Sequence, residues 1–168
     1  DYITGTYAAI GALMALMARN RYGIGQAVDV GLYEGIFRML DETASVYAKT
    51  GEVRERMGAD TVNAVPHSHY ETKDGRWVAL ACSSDKMFDR LANVMGQPEL
   101  VNEDRFAKVA QREAGRNEVN RIVAEWIRTM TLADLMARCI KGDVPIGPIN
   151  SIADIFDDEH IKESKNLV

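Results

Sequence analysis

The sequence predicts an α/β protein in which a helical arm precedes a small α+β domain. A helically spaced stretch of small and apolar residues, Thr4 to Asn20, predicts the arm. The dipeptide Asp74-Gly75 lies between two extended runs and predicts a β-hairpin. Capping residues then stand where helices would begin, with glycines where they would end. With 168 residues, 46% of them hydrophobic, the chain is long enough for an ordinary globular core.

Residues 1–50 are expected to form a buried helix, a short strand and a second helix. The stretch Thr4 to Asn20 is apolar on every side, which is typical of a helix covered all round, and we expect missing parts of the protein or a partner chain to cover it. Apolar and polar residues alternate from Val28 to Leu32 and predict the strand. The second helix is expected from Tyr33 to Lys49. Residues 51–66 are polar and without periodicity, so they are expected to form a linker.

Residues 67–150 are expected to form the small α+β domain. Its hairpin strands run from His67 to Thr72 and from Arg76 to Cys82. Three helices are expected to pack on the hairpin: Lys86 to Met95, Glu118 to Met130, and Leu132 to Lys141. Residues 151–168 begin a further segment, in which Ser151 and Asp154 open a short helical turn.

Charge and composition exclude several classes of function. Lys and Arg number 20 against 25 Asp and Glu, a net charge of −5, and no basic block is present to follow a phosphate backbone. We therefore expect no nucleic-acid partner. The longest apolar run, Tyr7 to Ala18, is too short to span a bilayer, so no membrane association is expected. Cys82 and Cys139 stand far apart in apolar segments, which indicates reduced thiols in a cytoplasmic protein.

Few residues carry an obvious chemical role. Asp1 precedes the first helix, where the dipole and free N–H groups favour an ionised carboxylate; a plain N-cap is the alternative interpretation. His67 and His69 alternate along a short extended segment and are expected to point to opposite faces, so they do not make a metal site without ligands from elsewhere and no metal is predicted. The chain begins with Asp1 instead of Met and runs at once into an apolar helix. We therefore expect it to be part of a longer protein.

Several motifs, taken in order, resemble one known family. They are Asp1 to Gly5, Gly23 to Glu34, Asp74 to Ala79, and Val144 to Ile149, with Arg112 followed by Asn117. Their order and spacing resemble the central part of class III CoA-transferases, the CaiB/BaiF enzymes. That superfamily includes formyl-CoA transferases and α-methylacyl-CoA racemases. The resemblance covers nearly the whole chain and identifies it as a central fragment of a protein more than twice as long.

The resemblance implies an architecture as well as an activity. Residues 1–50 would be the C-terminal part of a larger Rossmann-like CoA-binding domain, and residues 151–168 the start of a return to it. Family members are interlocked homodimers, so a second copy is the expected protein partner. An acyl-CoA and a carboxylic acid are the expected substrates, and no tightly bound cofactor is expected beyond the coenzyme A thioester that serves as substrate.

On the same resemblance, Asp1 matches the catalytic aspartate. Its carboxylate would attack the thioester to give a mixed anhydride and CoA thiolate, and CoA would then form an aspartyl-CoA thioester that the acceptor acid resolves. A racemase or isomerase using the same aspartate as acid and base is the alternative. A third possibility is that this chain is a non-catalytic structural or dimerisation fragment. Without the CoA-binding part, the chain alone is expected to be inactive.

One departure concerns a glycine-rich lid. Formyl-CoA transferases carry consecutive glycines just before the hairpin, whereas the matching residues 58–66 contain only Gly58. A mobile glycine lid is therefore not expected. By position, Asn63, Pro66 and His67 are the expected residues at the border of the acyl pocket. Neither the acyl-CoA nor the acceptor acid is specified by the sequence.

Overall fold

The structure is a computed structural model that describes residues 1–165. The chain divides into two compact units, Asp1–Arg56 and Met57–Val168. Helices and a small three-stranded antiparallel sheet together confirm the predicted α/β class. None of the helices described between residues 1 and 165 is long and apolar enough to cross a membrane.

The first unit consists of helices. Helix α1 spans Tyr2–Tyr22, α2 spans Glu34–Arg38 and α3 spans Thr43–Thr50. Helix α1 ends at Gly23, whose φ of 73° is the left-handed conformation that glycine adopts without steric cost. Helix α2 packs against α1, and the Thr4 hydroxyl donates to the carbonyl of Leu32 at 2.9 Å.

Two expectations for this unit are wrong. The strand from Val28 to Leu32 is not formed, because none of the described residues of this unit offers a second strand to pair with it. The helix from Tyr33 to Lys49 is interrupted after Arg38, where Asp41 takes a positive φ of 53° that a right-handed helix excludes.

The helix predicted from Thr4 to Asn20 is formed as α1. Thr4 is the one residue of α1 that is buried, whereas Leu13 is 62% exposed and Met17 is 72% exposed. Within this unit, α2 and the connection before it cover α1 on one side only. The burial expected from other parts of the protein or from a second copy stays a prediction.

The second unit contains the sheet and the core. Strands β1 (His67–Glu71), β2 (Trp77–Ala81) and β3 (Ile146–Pro148) pair antiparallel in that order. The hairpin is therefore confirmed, with His69 opposite Ala79. The third strand was not predicted.

Six helices and a 3-10 turn accompany the sheet: α4 (Asp85–Met95), the 3-10 turn (Pro98–Asn102), α5 (Val109–Ala114), α6 (Arg116–Ile127), α7 (Leu132–Lys141), α8 (Ile152–Asp157) and α9 (Glu159–Glu163). The sequence offers Ser84, Asn117, Thr131 and Ser151 as candidate caps. The side chains of Ser84, Thr131 and Ser151 each accept a backbone N–H in the first turn of the helix that follows, whereas Asn117 lies inside α6 and the cap expected there is wrong.

The core lies on one face of the sheet. Alternate strand residues such as Val78 and Leu80 are buried and meet apolar residues of the helices. Among the latter, Leu91, Ile127 and Leu135 lose all contact with solvent. The opposite face carries His67, His69 and Trp77, which are half-buried or exposed. Because side chains two apart on a strand share a face, both histidines lie on this outer side, and the expectation that they point to opposite faces is wrong.

Candidate functional site

Asp1 lies at the N-terminus of α1 and is exposed. Its carbonyl accepts the N–H of Gly5 at 2.8 Å, the first hydrogen bond of the helix. Within the described residues, its side chain makes no capping hydrogen bond. The carboxylate is therefore not occupied by the capping role that was the alternative interpretation. It stands instead where the positive end of the helix dipole favours its ionised form.

The other three candidate residues lie in the second unit, on the segment that leads into β1. Residues 57–66, all of which the structure describes, form no helix or strand. Asn63 is exposed and has a φ of 62°, a left-handed conformation that asparagine tolerates better than most residues. Pro66 is buried and follows a cis peptide bond. His67 is half-buried as the first residue of β1.

The segment is held from inside by Arg112, whose side chain is completely buried. Nε donates to the carbonyl of Val65 at 2.8 Å, and Nη1 donates to the carbonyl of Phe106 at 2.7 Å. Nη2 donates to the Asp85 carboxylate at 3.0 Å. The guanidinium also lies over the Phe88 ring, 4.4 Å from its centroid. One buried cation thus joins three separate parts of the chain.

Two further polar side chains of α6 continue this contact along the helix. Arg116 Nη1 donates to the carbonyl of Thr61 at 2.7 Å and lies 3.5 Å from that of Ala64. Asn120 donates from Nδ2 to the Asp60 carboxylate at 3.0 Å. Arg116 and Asn120 stand four residues apart on α6 and so share one face of that helix, and Arg112 of α5 reaches the same segment.

Burial, hydrogen bonds and nearby charges determine the ionisation state of Tyr70 and Asp85 in this region. The Tyr70 hydroxyl donates to Asn120 Oδ1 at 2.8 Å, and burial raises the pKa of Tyr70 above its usual range, so it stays a neutral donor. Partial burial on its own would raise the pKa of Asp85. The hydrogen bond and charge of Arg112, with Lys108 nearby, outweigh that effect, so the pKa of Asp85 lies below its usual value.

His67 has one unusual atom. Its Nδ1 is buried and finds no hydrogen-bond partner among the residues that the structure describes. A buried polar atom without a partner costs free energy, about 1–3 kcal/mol, and such atoms are uncommon in folded proteins. His67 is thus the one candidate residue with a buried hydrogen-bonding atom that has no partner within the described residues.

The structure therefore places Asn63, Pro66 and His67 on one anchored segment, whereas Asp1 belongs to the other unit. Sequence reasoning assigned no role to Arg112, Arg116 or Asn120, although the interval of four residues between them can be read from the sequence. Residues 1–165 hold no group of three or more His, Cys, Asp or Glu side chains arranged to bind a metal ion. The segment offers an exposed carboxamide at Asn63 and, four residues later, the imidazole of His67.

Comparison with known proteins identifies one family. All 168 residues match the model described as CoA-transferase family III. The chain is 49% identical over 167 residues to the succinyl-CoA–L-malate CoA-transferase alpha subunit of Chloroflexus aurantiacus, covering 99% of this chain and 39% of that protein. It is 44% identical over 169 residues to the beta subunit of the same name and species, covering 100% and 42%.

A solved structure agrees with the sequence comparison. A CaiB/BaiF family protein from Brucella suis superimposes with a TM-score of 0.77 at 33% identity, over 97% of this chain and 43% of that one. The chain spans about two fifths of the length of the curated relatives that it matches.

Proposed function

Because the chain belongs to CoA-transferase family III, as its motifs predicted, we propose that the longer protein it represents moves CoA between an acyl-CoA thioester and a carboxylic acid. The family match over the whole chain is the observation that carries this proposal. The match includes Asp1, the residue that the family resemblance makes the nucleophile. It also includes the anchored segment that leads to His67.

The names of the relatives suggest a narrower class of substrates for this proposal. The two most similar relatives described above are named succinyl-CoA–L-malate CoA-transferase subunits, and a third, 36% identical, is named succinyl-CoA–D-citramalate CoA-transferase. We therefore propose succinyl-CoA as donor and a hydroxylated dicarboxylic acid as acceptor. Such an acceptor brings one carboxylate to the reacting centre and leaves a second carboxylate and a hydroxyl to be recognised elsewhere in the pocket.

In this proposal Asp1 acts as the nucleophile. A carboxylate oxygen forms a bond to the thioester carbon, the carbon–sulfur bond breaks, and CoA leaves as a thiolate. The thiolate then attacks the Asp1 side of the mixed anhydride, which expels the donor acid and leaves an aspartyl-CoA thioester for the acceptor carboxylate to resolve. The free, exposed carboxylate at the start of α1 supports this role, since a helix N-terminus stabilises its ionised form without engaging it.

Asn63 and His67 are proposed to border the acyl group. The Asn63 amide is exposed and can donate to a substrate carbonyl or carboxylate. Pro66 is buried, so its proposed role is to shape the backbone between these two residues. Asn63→Gly keeps the left-handed backbone and removes the amide, and it is expected to weaken substrate binding. If Asn63→Gly leaves the KM of every substrate unchanged, Asn63 does not line the acyl site.

The decisive experiment uses the full-length enzyme with succinyl-CoA and a panel of carboxylic acids. Asp1→Ala and Asp1→Asn are both expected to abolish transfer while acyl-CoA still binds, because a covalent nucleophile is lost and binding contacts stay. Borohydride or hydroxylamine should trap the aspartyl species in the wild type only. Isomerisation of an acyl-CoA with no trapped species would instead identify the racemase activity, and transfer by Asp1→Ala would place the chemistry elsewhere.

We also propose that the first unit binds a second chain. Apolar side chains such as Leu13, Met14 and Met17 are more than half exposed along α1. A homodimer is the expectation from the family resemblance, and the names of two relatives as alpha and beta subunits make a pair of related chains the competing assembly. Sedimentation of the purified full-length protein distinguishes a homodimer from a pair of related chains, because only the homodimer assembles from one polypeptide.

A further inference from the structure

We propose that Arg112 and Arg116 are positioning residues that fix the backbone of residues 61–65 and thereby aim Asn63 at the acyl group. This inference rests on the proposed function. It assigns a role to two side chains that the motif analysis left without one. Both act through the segment and not on the substrate itself.

The first support is that guanidinium groups replace secondary structure in this segment. The carbonyls of Thr61, Ala64 and Val65 accept hydrogen bonds from the two arginines. In a strand or helix, backbone N–H groups would fill that role. Residues 61–65, all within the described chain, belong to no helix or strand, so their path depends on the arginines.

The second support is that the arginines are themselves fixed. Arg112 is fully buried, stacked on Phe88 and paired with Asp85 on α4, so its guanidinium has no freedom to follow the segment. Arg116 is 18% exposed and lies 3.9 Å from the carboxylate of Asp60. A planar guanidinium held at several points acts as a rigid fork.

The third support is what the anchoring exposes. Ala64, Val65 and Pro66 are buried, and Asn63 is the exposed residue between 61 and 66. Its left-handed φ of 62° is a conformation that a free chain seldom keeps for a residue other than glycine. Anchors on both sides therefore hold Asn63 outward at a fixed angle. Precise placement of binding groups is what a transfer reaction between large substrates requires.

The test compares two arginines of α6 in the full-length enzyme. Arg116→Met removes one anchor. Arg121→Met is the matched control, because Arg121 is 59% exposed and, among residues 1–165, pairs only with Glu125 on the same helix. For Arg116→Met, kcat/KM for succinyl-CoA is expected to fall by roughly tenfold to a hundredfold, as for other small displacements of a binding group. The Kd of free CoA should stay within about twofold, since CoA has no acyl group to be placed.

Two further measurements separate positioning from general damage. Amide hydrogen exchange in residues 61–67 should rise in Arg116→Met and stay unchanged in Arg121→Met. Arg116→Lys keeps one donor and should recover part of the lost kcat/KM. An unchanged kcat/KM, or an equal loss of acyl-CoA and free CoA affinity, would overturn the inference. If the wild type transfers no CoA, the proposed function fails and the substrate-facing role fails with it, while hydrogen exchange still decides whether Arg116 holds the segment.

Discussion

Replacement of Arg112 by Met is expected to destabilise the second unit strongly. The change leaves the carbonyls of Val65 and Phe106 buried without donors, and each such group costs about 1–3 kcal/mol. Asp85 is 42% exposed, so water replaces its lost partner and adds little. The methionine still packs on Phe88, which retains part of the ring contact. The free energy of unfolding should therefore fall by about 2–6 kcal/mol.

Urea unfolding followed by tryptophan fluorescence measures this change. This chain has two tryptophans, Trp77 and Trp126, and both lie in the second unit, so the fluorescence of this chain reports on that unit. Arg112→Lys keeps the charge and at least one donor and should lose less. Arg121→Met should lie within about 0.5 kcal/mol of the wild type, as exposed substitutions do. A loss below about 1 kcal/mol for Arg112→Met would refute the claim that its hydrogen bonds hold the segment.

Three other predictions concern the second unit. Thr131→Ala removes the hydroxyl that caps α7 and should lower the free energy of unfolding by about 1 kcal/mol in the same urea assay. The hydrogen bond from Thr72 is the main cause that lowers the pKa of Asp74, so its stabilising effect is complete above the unfolded pKa of about 3.9 and is lost as pH falls through the lower folded value. In Asp74→Asn, the free energy of unfolding should therefore fall less steeply as the pH is lowered through this range. Burial raises the pKa of Cys82 to about 12 and that of Cys139 to about 11, so a thiol reagent at pH 8 should label neither in the native protein and both in urea; labelling of the folded protein would contradict their burial.

The parts of the fold that sequence reasoning placed correctly depend on neighbouring residues. Asp74-Gly75 sets the hairpin turn locally, and Thr131 and Ser151 cap helices through contacts three residues away. Strand β3 was missed because it is three residues long and acquires its identity by pairing with β2, far away in sequence. The strand expected at residues 28–32 failed for the same reason, since alternation alone provides no partner.

The candidate site was less predictable than the fold. The family resemblance pointed to Asp1 and to the segment containing Asn63, and both assignments stay predictions. The anchors of that segment were not found, because Arg112 meets Val65 across 47 residues of chain. A charged residue such as Arg112 is normally expected at the surface, so its burial follows only from the tertiary structure.

The way in which the segment is anchored has a consequence for how its specificity can change. Arg112 and Arg116 bind main-chain oxygens, which every amino acid possesses, so the side chains at positions 61–63 are not needed to hold the backbone. Positions 61 and 62 can therefore be randomised as a short cassette while the framework stays intact, with position 63 varied only among residues that tolerate its positive φ, such as Asn, Asp and Gly. Selection from such a cassette for acids of different length or charge would reshape acceptor preference without rebuilding the domain.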